Sequence, residues 1–464
     1  MIYSTHRCFV VRGGVAAAAL IGTIRGGAAD NSAPGGTRTL PASNYDEYCG
    51  NYRISKDHIL GIDRFLLEDA GETTLLISDY QSGVVRRLFQ KSEIDFVMGP
   101  GFETPSPPEL SVRFVTNEKG GFSAISIQPA GGAASGAERF SGRQESITFA
   151  NGDVTLAGTL MLPATPGPHP TIVLLHGSGP LTRYSFGPYP HFFTSLGLAV
   201  LIYDKRGTGF SNGLRLDAST GDLEPLPSAY YPDDLTNDAI AALRYLQGRS
   251  EINPRRIGFW GSSEGGMLTT QVAARSADGA FVINSSGFMG PLWRTLQYQV
   301  EAILKQRGAS EEAIRQALAF NELWMRVART GHEYDLFLEQ RAALRKDKKP
   351  WAFWFSNSFT SLEQMRRDWE HILRFDPLPA LSKVKCSVLG VFGELDVSTN
   401  ASDAGSEMKR VLCAAGNSDF TLRVFPKAGH SLAEMPSGNR MAPGVFDTLS
   451  AWLLAHVGSA GARP

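Results

Sequence analysis

The chain has 464 residues, of which 42% are hydrophobic and 20% charged, and its formal net charge at pH 7 is −1. This length allows two or three domains with a sizeable core, and this composition is typical of globular proteins rather than of disordered or fibrous ones. The balanced charge gives no electrostatic reason to expect nucleic acid or an anionic membrane surface as a partner.

The N-terminus has the pattern of a secretory signal peptide. Basic residues precede the apolar segment 13–22, and small residues at 27–29 suit a cleavage site, although Arg25 is atypical and a frayed extension is the alternative. We expect residues 1–29 to be a signal peptide, residues 30–45 to be a linker, and the mature protein to be periplasmic or secreted. No apolar run approaches the roughly 20 residues of a membrane-spanning helix, so no integral membrane segment is predicted.

The cysteines indicate neither a disulfide scaffold nor a zinc site, because they are only four and their spacing matches no zinc pattern. Cys8 would be removed with the signal peptide. Cys386 and Cys413 either pair in an oxidising compartment or remain buried free thiols. No metal site is therefore expected. No glycine-rich fingerprint opens a strand–helix–strand unit, so phosphate-loop and dinucleotide chemistry are not predicted and no cofactor is expected.

Residues 46–140 predict a small antiparallel β-domain. Short apolar runs alternate with Gly, Ser and Asp turns, and Asn117-Glu118-Lys119-Gly120-Gly121 between two of the runs is a hairpin signal. No catalytic grouping stands out, and His58 with its neighbouring acids is expected to be solvated. The domain is expected either to bind an unknown ligand or to dock on the rest of the chain.

From residue 141 to residue 464, strands alternate with helices, which predicts a mostly parallel sheet covered on both faces. A hairpin around Asn151-Gly152-Asp153 opens this α/β region. Further strands are predicted at 171–175, 198–203, 257–260, 280–284, 386–392 and 420–425, and helices at 191–197, 233–247, 266–274, 402–414 and 445–457.

A helical insert interrupts this alternation from about residue 290 to residue 378. A plain strand–helix unit needs only about 30–40 residues, so the insert predicts a cap over the functional face of the sheet. Five of the seven tryptophans lie in it: Trp293, Trp324, Trp351, Trp354 and Trp369. We expect most of them to pack the core of the cap, although some are candidates to line a substrate pocket.

The central motif is Gly261-Ser262-Ser263-Glu264-Gly265, which lies between an apolar strand and a helix. A Gly-x-Ser-x-Gly sequence in this context places the serine hydroxyl on a tight, exposed turn, and the amides that open the helix face it. A second match at residues 209–213 has no helix behind it and is treated as fortuitous. Ser263 is therefore the predicted nucleophile.

A serine nucleophile needs a base and a carboxylate that orients the base. Asp396 and His430 each follow a predicted strand, and open α/β sheets place their sites at the carboxyl ends of strands. Ser263, Asp396 and His430 also occur in the chain order expected for this arrangement. Glu394 remains an alternative to Asp396.

An oxyanion hole should form between the helix that follows the nucleophile and the loop after the first parallel strand. That loop is His176-Gly177-Ser178-Gly179-Pro180. The predicted donors are the backbone amides of Ser178 and Glu264, with Gly177 as a neighbouring candidate. His176 is expected to brace the loop, and residues 204–209 to form a structural turn in which Arg206 holds loops together.

Residues 145–464 resemble the α/β-hydrolase superfamily, especially bacterial carboxylesterases and serine-aminopeptidase-like hydrolases. The matching positions are residues 176–180, 203–209 and 261–266, Asp396 and Gly429-His430. The resemblance implies Ser263 as nucleophile, His430 as base and Asp396 as its partner. Ser262 departs from the pattern, because many relatives have histidine there. Residues 88–96 also resemble part of the lipocalin-like modules that bacteria append to serine hydrolases.

The leading hypothesis is therefore a metal-independent serine esterase that cleaves esters of small or medium acyl chains through an acyl-enzyme. One alternative is a peptidase that releases N-terminal residues and anchors the α-amino group on Glu264 or on an acid of the cap. A further alternative is an envelope-binding protein whose β-domain recruits a ligand and whose hydrolase activity is secondary.

Overall fold

The computed structural model describes residues 42–67, 72–216, 223–225, 232–347, 349, 351 and 361–457. The predicted signal peptide, most of the predicted linker, Cys8 and Trp354 lie outside the described residues. A short 3-10 helix, Ala42–Glu47, leads into the first strand.

Eight antiparallel strands form a closed barrel in the order β1 to β8, and β8 pairs back onto β1. This confirms the predicted antiparallel β-domain and adds its closure, which removes the exposed sheet edges. The strands are β1 (Gly50–Ser55), β2 (His58–Leu67), β3 (Glu72–Asp79), β4 (Val85–Gln90), β5 (Asp95–Met98), β6 (Leu110–Thr116), β7 (Phe122–Pro129) and β8 (Ser135–Arg139).

A second sheet has eight strands in the order β18-β17-β16-β15-β11-β12-β10-β9. Its members are β9 (Gln144–Asn151), β10 (Val154–Met161), β11 (His169–Leu175), β12 (Ala199–Tyr203), β15 (Ile252–Ser262), β16 (Phe281–Ser285), β17 (Ser387–Gly393) and β18 (Phe420–Phe425), while β13 (Leu214–Leu216) pairs with β14 (Leu223–Pro225) separately. β9 and β10 form the predicted hairpin, and β10 is antiparallel to β12. The other pairs are parallel, which confirms the predicted α/β fold.

Helices cover both faces of this sheet, so that its inner strands β11 and β12 are buried along their whole length. They are α1 (Tyr189–Ser195), α2 (Pro232–Gln247), α3 (Glu264–Arg275), α8 (Leu378–Leu381), α9 (Ala401–Ala414) and α10 (Val445–Val457). One core joins the sheet to α2, α3 and α9, and a second core on the other face joins it to α1 and α10. Cys386 and Cys413 are both free thiols, and Cys413 is exposed rather than buried.

Between β16 and β17, the described residues in the region predicted as a cap include α4 (Leu292–Gln306), α5 (Glu311–Thr330), α6 (Tyr334–Lys346) and α7 (Leu362–Leu373), which precede α8. Ser310 caps α5 and Ser361 caps α7 through their side-chain oxygens. Trp324 and Trp351 are buried in the helices' own core, whereas Trp293 is 41% exposed. Among the helices that the structure describes, none combines the length and the hydrophobicity needed to span a bilayer.

Candidate active site

Ser263 occupies the sharp turn between β15 and α3, with φ 57° and ψ −119°. This backbone conformation is uncommon for a residue with a Cβ, and it persists only where neighbouring contacts enforce it. The Ser263 amide donates to the Ser285 carbonyl at 2.8 Å, and its carbonyl accepts from the Gly266 amide at 2.9 Å. The turn is therefore held from β16 on one side and from α3 on the other.

The glycines on either side of Ser263 are required by close backbone contacts. A Cβ at Gly261 would press against the Gly265 carbonyl, and one at Gly265 would meet the carbonyl oxygens of Leu175 and His176. Only glycine lets β11, β15 and α3 approach this closely.

His430 and Asp396 form a buried hydrogen-bonded pair in which Nδ1 and Oδ2 are 2.8 Å apart. The second carboxylate oxygen of Asp396 accepts from the amides of Ser398 at 2.7 Å and Thr399 at 2.9 Å. These bonds fix the carboxylate and thereby the imidazole. Nε2 of His430 is buried, and no other described residue hydrogen-bonds to it.

The electrostatic surroundings of His430 favour its protonated form. Burial alone would lower the pKa of the imidazole, but the charge of Asp396 and its hydrogen bond outweigh burial, so the pKa is raised above its usual value of 6.5. The pair can thus accept a proton and hold it while a reaction proceeds.

Glu394, the alternative acid, does not contact His430. Its side chain is exposed, and its Oε2 accepts from the Lys427 amide at 3.0 Å. The geometry therefore favours Asp396 as the carboxylate partner of His430.

Hydrogen bonds connect the serine turn to the acid loop along the carboxyl edge of the sheet. The Ser263 amide is bonded to Ser285, the neighbouring Ser286 carbonyl accepts from Thr399 Oγ1 at 2.8 Å, and the Thr399 amide is bonded to Asp396. Parallel strands end at one edge, so residues that are distant in sequence meet there.

The predicted oxyanion loop lies against the nucleophile: a Cβ built on Gly177 would be 3.6 Å from Cβ of Ser263. Among the described residues, neither the Ser178 amide nor the Glu264 amide donates to a carbonyl in the backbone hydrogen bonds of turns, loops and caps. Both remain available to a negatively charged oxygen, and the Glu264 amide belongs to the first turn of a helix, where such donors are favourable.

Lys205 joins the two sides of this candidate oxyanion hole. Its ammonium donates to the Gly177 carbonyl at 3.0 Å and to Oε2 of Glu264 at 2.6 Å, and its side chain is 2% exposed. This role was not predicted from the sequence, in which Lys205 falls within the predicted structural turn at residues 204–209. Lys205 lies between the charged residues Asp204 and Arg206, so its local sequence indicates neither its burial nor its partners.

His176, Arg206 and Ser211 lie outside the proposed catalytic set. Burial, reinforced by the charge of Lys205, lowers the pKa of His176 to about 3, so this side chain stays neutral, as a bracing role requires. Arg206 forms a bidentate pair with Asp238 at 2.7 and 2.6 Å. Ser211, in the second Gly-x-Ser-x-Gly match, donates to the Asp204 carbonyl at 2.7 Å and accepts from the Ala157 amide at 2.9 Å.

The helical insert contacts the acid loop through α4. Tyr298 donates its hydroxyl proton to the Asp396 carbonyl at 2.6 Å, and Gln299 donates to the Ser398 carbonyl at 3.0 Å. These two supports were also missed, since neither residue type carries a specific signal within a helix.

Chemically, the site combines a hydroxyl on a strained turn, a buried imidazole–carboxylate pair and two backbone amides. Nucleophilic acyl transfer uses this set of groups. Within the described residues, no group of three or more His, Cys, Asp or Glu side chains is placed to hold a metal ion.

Comparison with known proteins agrees with the fold. Residues 172–438, more than half of the chain, match the model of the alpha/beta hydrolase family. Esterase EstD of Thermotoga maritima is 33% identical over 147 residues, which cover 29% of this chain and 32% of EstD. The quorum-quenching protein AidA of Acinetobacter baumannii is 30% identical over 142 residues, which cover 31% of this chain and 43% of AidA. The chain thus spans less than half the length of these curated relatives.

Among solved structures, an esterase of Pyrococcus furiosus superposes with a TM-score of 0.44 at 15% identity, covering 68% of this chain and 92% of that chain.

Proposed function

The chain belongs to the alpha/beta hydrolase family, and from that premise we propose that it is a serine hydrolase cleaving carboxylic esters of small or medium acyl chains. Ser263 is the proposed nucleophile, His430 the base and Asp396 its orienting partner. The observation that carries the proposal is the buried His430–Asp396 bond of 2.8 Å at the sheet edge where the Ser263 turn lies.

In this mechanism the Ser263 hydroxyl oxygen attacks the ester carbonyl while Nε2 of His430 takes its proton. The amides of Ser178 and Glu264, with Gly177 beside them, stabilise the negative oxygen of the tetrahedral intermediate. His430 then returns the proton to the departing alcohol, which leaves an acyl group on Ser263. A water molecule, deprotonated by His430, releases the acid and restores the serine.

The esterase hypothesis is favoured over the aminopeptidase alternative by the position of Glu264. An aminopeptidase needs an acidic group that is available to a substrate's α-amino group. The Glu264 carboxylate is instead bound by Lys205 at 2.6 Å. Of the two possible anchors for the α-amino group, Glu264 and an acid of the cap, only the acid of the cap would be left.

The test is hydrolysis of p-nitrophenyl esters from acetate to palmitate by wild type, Ser263→Ala and Ser211→Ala. Ser211 is the matched control because it occupies the other Gly-x-Ser-x-Gly sequence and lies outside the proposed triad. Activity that peaks at short chains, is lost in Ser263→Ala and persists in Ser211→Ala supports the proposal. Wild-type activity in a folded Ser263→Ala protein contradicts it.

The peptidase alternative is tested with aminoacyl p-nitroanilides under the same conditions. A wild-type protein that cleaves anilides faster than every ester, with the same dependence on Ser263, would replace the esterase proposal by the peptidase one.

We also propose that the protein is exported, on the basis of the signal-like residues 1–29. Sequencing the N-terminus of the protein recovered from the periplasm or medium of an expressing bacterium tests this, and a mature chain that begins near residue 30 is the expected result. An uncleaved chain confined to the cytoplasm would contradict export.

A further inference from the structure

The interior of the β1–β8 barrel is filled by its own side chains. The ring of Tyr48 contacts those of Phe96, Phe114 and Phe122 with centroid separations of 5.4, 4.8 and 4.7 Å. Tyr52, Ile62 and Ile125 complete this core and are fully buried. An eight-stranded barrel is just wide enough to be packed in this way, and it then presents only its outer surface to other parts of the protein.

The outer surface of the barrel packs on α1 of the α/β domain. Asp63 Oδ1 lies 2.6 Å from Nδ1 of His191, and both side chains are buried. Nδ2 of the Asn51 side chain donates to the His191 carbonyl at 2.9 Å. The Tyr80 ring packs edge-on against Phe192 and Phe446, with centroids 5.2 Å away in both cases. A desolvated polar pair surrounded by aromatic packing fixes the orientation of the two domains.

A second contact joins the β3–β4 hairpin to residues 426–444, the loop between β18 and α10 that contains His430. The Met441 amide donates to the Gly83 carbonyl at 2.7 Å, and the Val85 amide donates to the Asn439 carbonyl at 3.1 Å. Nε of Arg86 donates to the same Asn439 carbonyl at 3.1 Å. The loop is therefore paired with the hairpin much as an added strand would be.

This pairing continues through the loop to His430. On the inner side of residues 439–441, the Glu434 amide donates to the Arg440 carbonyl at 2.8 Å and the Ala442 amide donates to the Leu432 carbonyl at 2.9 Å. The next bond, from the Gly429 amide to the Ala433 carbonyl at 2.9 Å, closes the turn that contains His430. A continuous hydrogen-bond ladder therefore runs from the barrel to the imidazole-bearing turn.

We propose that the N-terminal barrel is a positioning domain for the catalytic base, and that it acts through the ladder between residues 83–85, 439–441 and 429–434. This inference rests on the proposed function of His430. A long loop without helix or strand samples many conformations unless other elements hold it. The barrel removes that freedom, so that Nδ1 of His430 stays on Asp396 and the imidazole stays at the sheet edge where the Ser263 turn lies.

The test compares two glycines of the barrel that both have positive φ. Gly83 has φ +79°, and a Cβ there would lie 3.1 Å from the Met441 carbonyl oxygen. Gly120 has φ +82° in the β6–β7 turn, and no atom lies within 4 Å of its Cβ position. Gly83→Val and Gly120→Val therefore impose similar backbone strain, but only Gly83→Val pushes on the ladder.

We expect Gly83→Val to lower kcat on a p-nitrophenyl ester by roughly tenfold to hundredfold with little change in KM, because small misplacements of a catalytic group are costly. Gly120→Val should keep kcat within about twofold of wild type, since strain in a distant turn does not reach the site. Arg86→Met removes the bond to the Asn439 carbonyl without changing backbone strain, although it also removes the Arg86 bond to the Gly99 carbonyl and the ion pair with Glu109 within the barrel. It should reduce kcat in the same direction by a smaller factor.

Hydrogen exchange provides a readout that does not need activity. Amides in residues 427–442 should exchange at least about tenfold faster in Gly83→Val than in Gly120→Val, because exchange follows local opening. Equal exchange in the two variants, or a kcat loss of the same size in both, would overturn the positioning role. A wild-type protein that hydrolyses no ester and is not labelled at Ser263 by a fluorophosphonate would instead refute the proposed function, and the exchange comparison would still decide whether the barrel orders the loop.

Discussion

Nζ of Lys205 lies 2.6 Å from Oε2 of Glu264 and 3.0 Å from the carbonyl oxygen of Gly177. One buried ammonium thus joins the loop after β11 to the first residue of α3, and these two segments carry the proposed oxyanion donors. Burial raises the pKa of the Glu264 carboxyl more than the charge of Lys205 lowers it. The pair is a desolvated contact that holds the two segments together.

Lys205→Met should lower kcat by about tenfold to a thousandfold and leave KM nearly unchanged, since the amides act mainly on the transition state. Steady-state kinetics on a short-chain ester measures both constants. Arg206→Met is the matched control, because it also breaks a buried ion pair, the one with Asp238. Arg206 contacts neither oxyanion segment. Equal losses of kcat in the two variants would show that Lys205 contributes only to stability.

The pH dependence should reflect the raised pKa of His430. Catalysis needs neutral His430, so kcat/KM should fall as the pH drops through a pKa above 6.5. Asp396→Asn removes the charge and the hydrogen bond that raise this pKa. The acidic limb of the pH profile of Asp396→Asn should therefore move to lower pH. The kcat of this variant should fall by roughly 10⁴-fold, as in other triads that lose the orienting carboxylate. An unshifted limb in Asp396→Asn would mean that another group controls the profile.

Tyr298→Phe should lower kcat by roughly twofold to tenfold, because it removes one hydrogen bond of about 1 kcal/mol from the Asp396 carbonyl. The expected cause is a looser acid loop around Asp396. The pKa of His430 that the pH profile reports should therefore also shift in Tyr298→Phe. Tyr334→Phe is the control, since Tyr334 stacks on Phe337 in the helical insert, away from Asp396. If both substitutions change kcat equally, α4 does not support the acid loop.

Asp63→Ala should destabilise the protein by about 1–3 kcal/mol, because it leaves a ring nitrogen of the buried His191 without its hydrogen-bond partner. Urea unfolding followed by tryptophan fluorescence measures the loss. Asp95→Ala provides the comparison: its partner Arg113 is 64% exposed, and exposed pairs contribute about 0–1 kcal/mol. A loss for Asp63→Ala as small as that for Asp95→Ala would contradict a structural role for the interdomain pair.

Local sequence patterns were sufficient to predict the fold and to predict that the candidate residues lie at one edge of the sheet. Apolar runs and helical periodicity predicted the parallel strands within a few residues, since these patterns follow from burial on one or both faces. The Ser263 turn was identifiable because tight backbone approach excludes every side chain at Gly261 and Gly265. The positions of Asp396 and His430 followed from the rule that strands of this fold end at one edge.

Only the tertiary structure revealed what holds those residues in place. Lys205 and Glu264 are 59 residues apart, Tyr298 and Asp396 are 98 apart, and Arg86 and Asn439 are 353 apart. A lysine, a tyrosine or an arginine has many possible partners, and nothing in its local sequence selects among them. The selection is made by the packing of whole domains, because a long-range hydrogen bond depends on where every intervening element comes to lie.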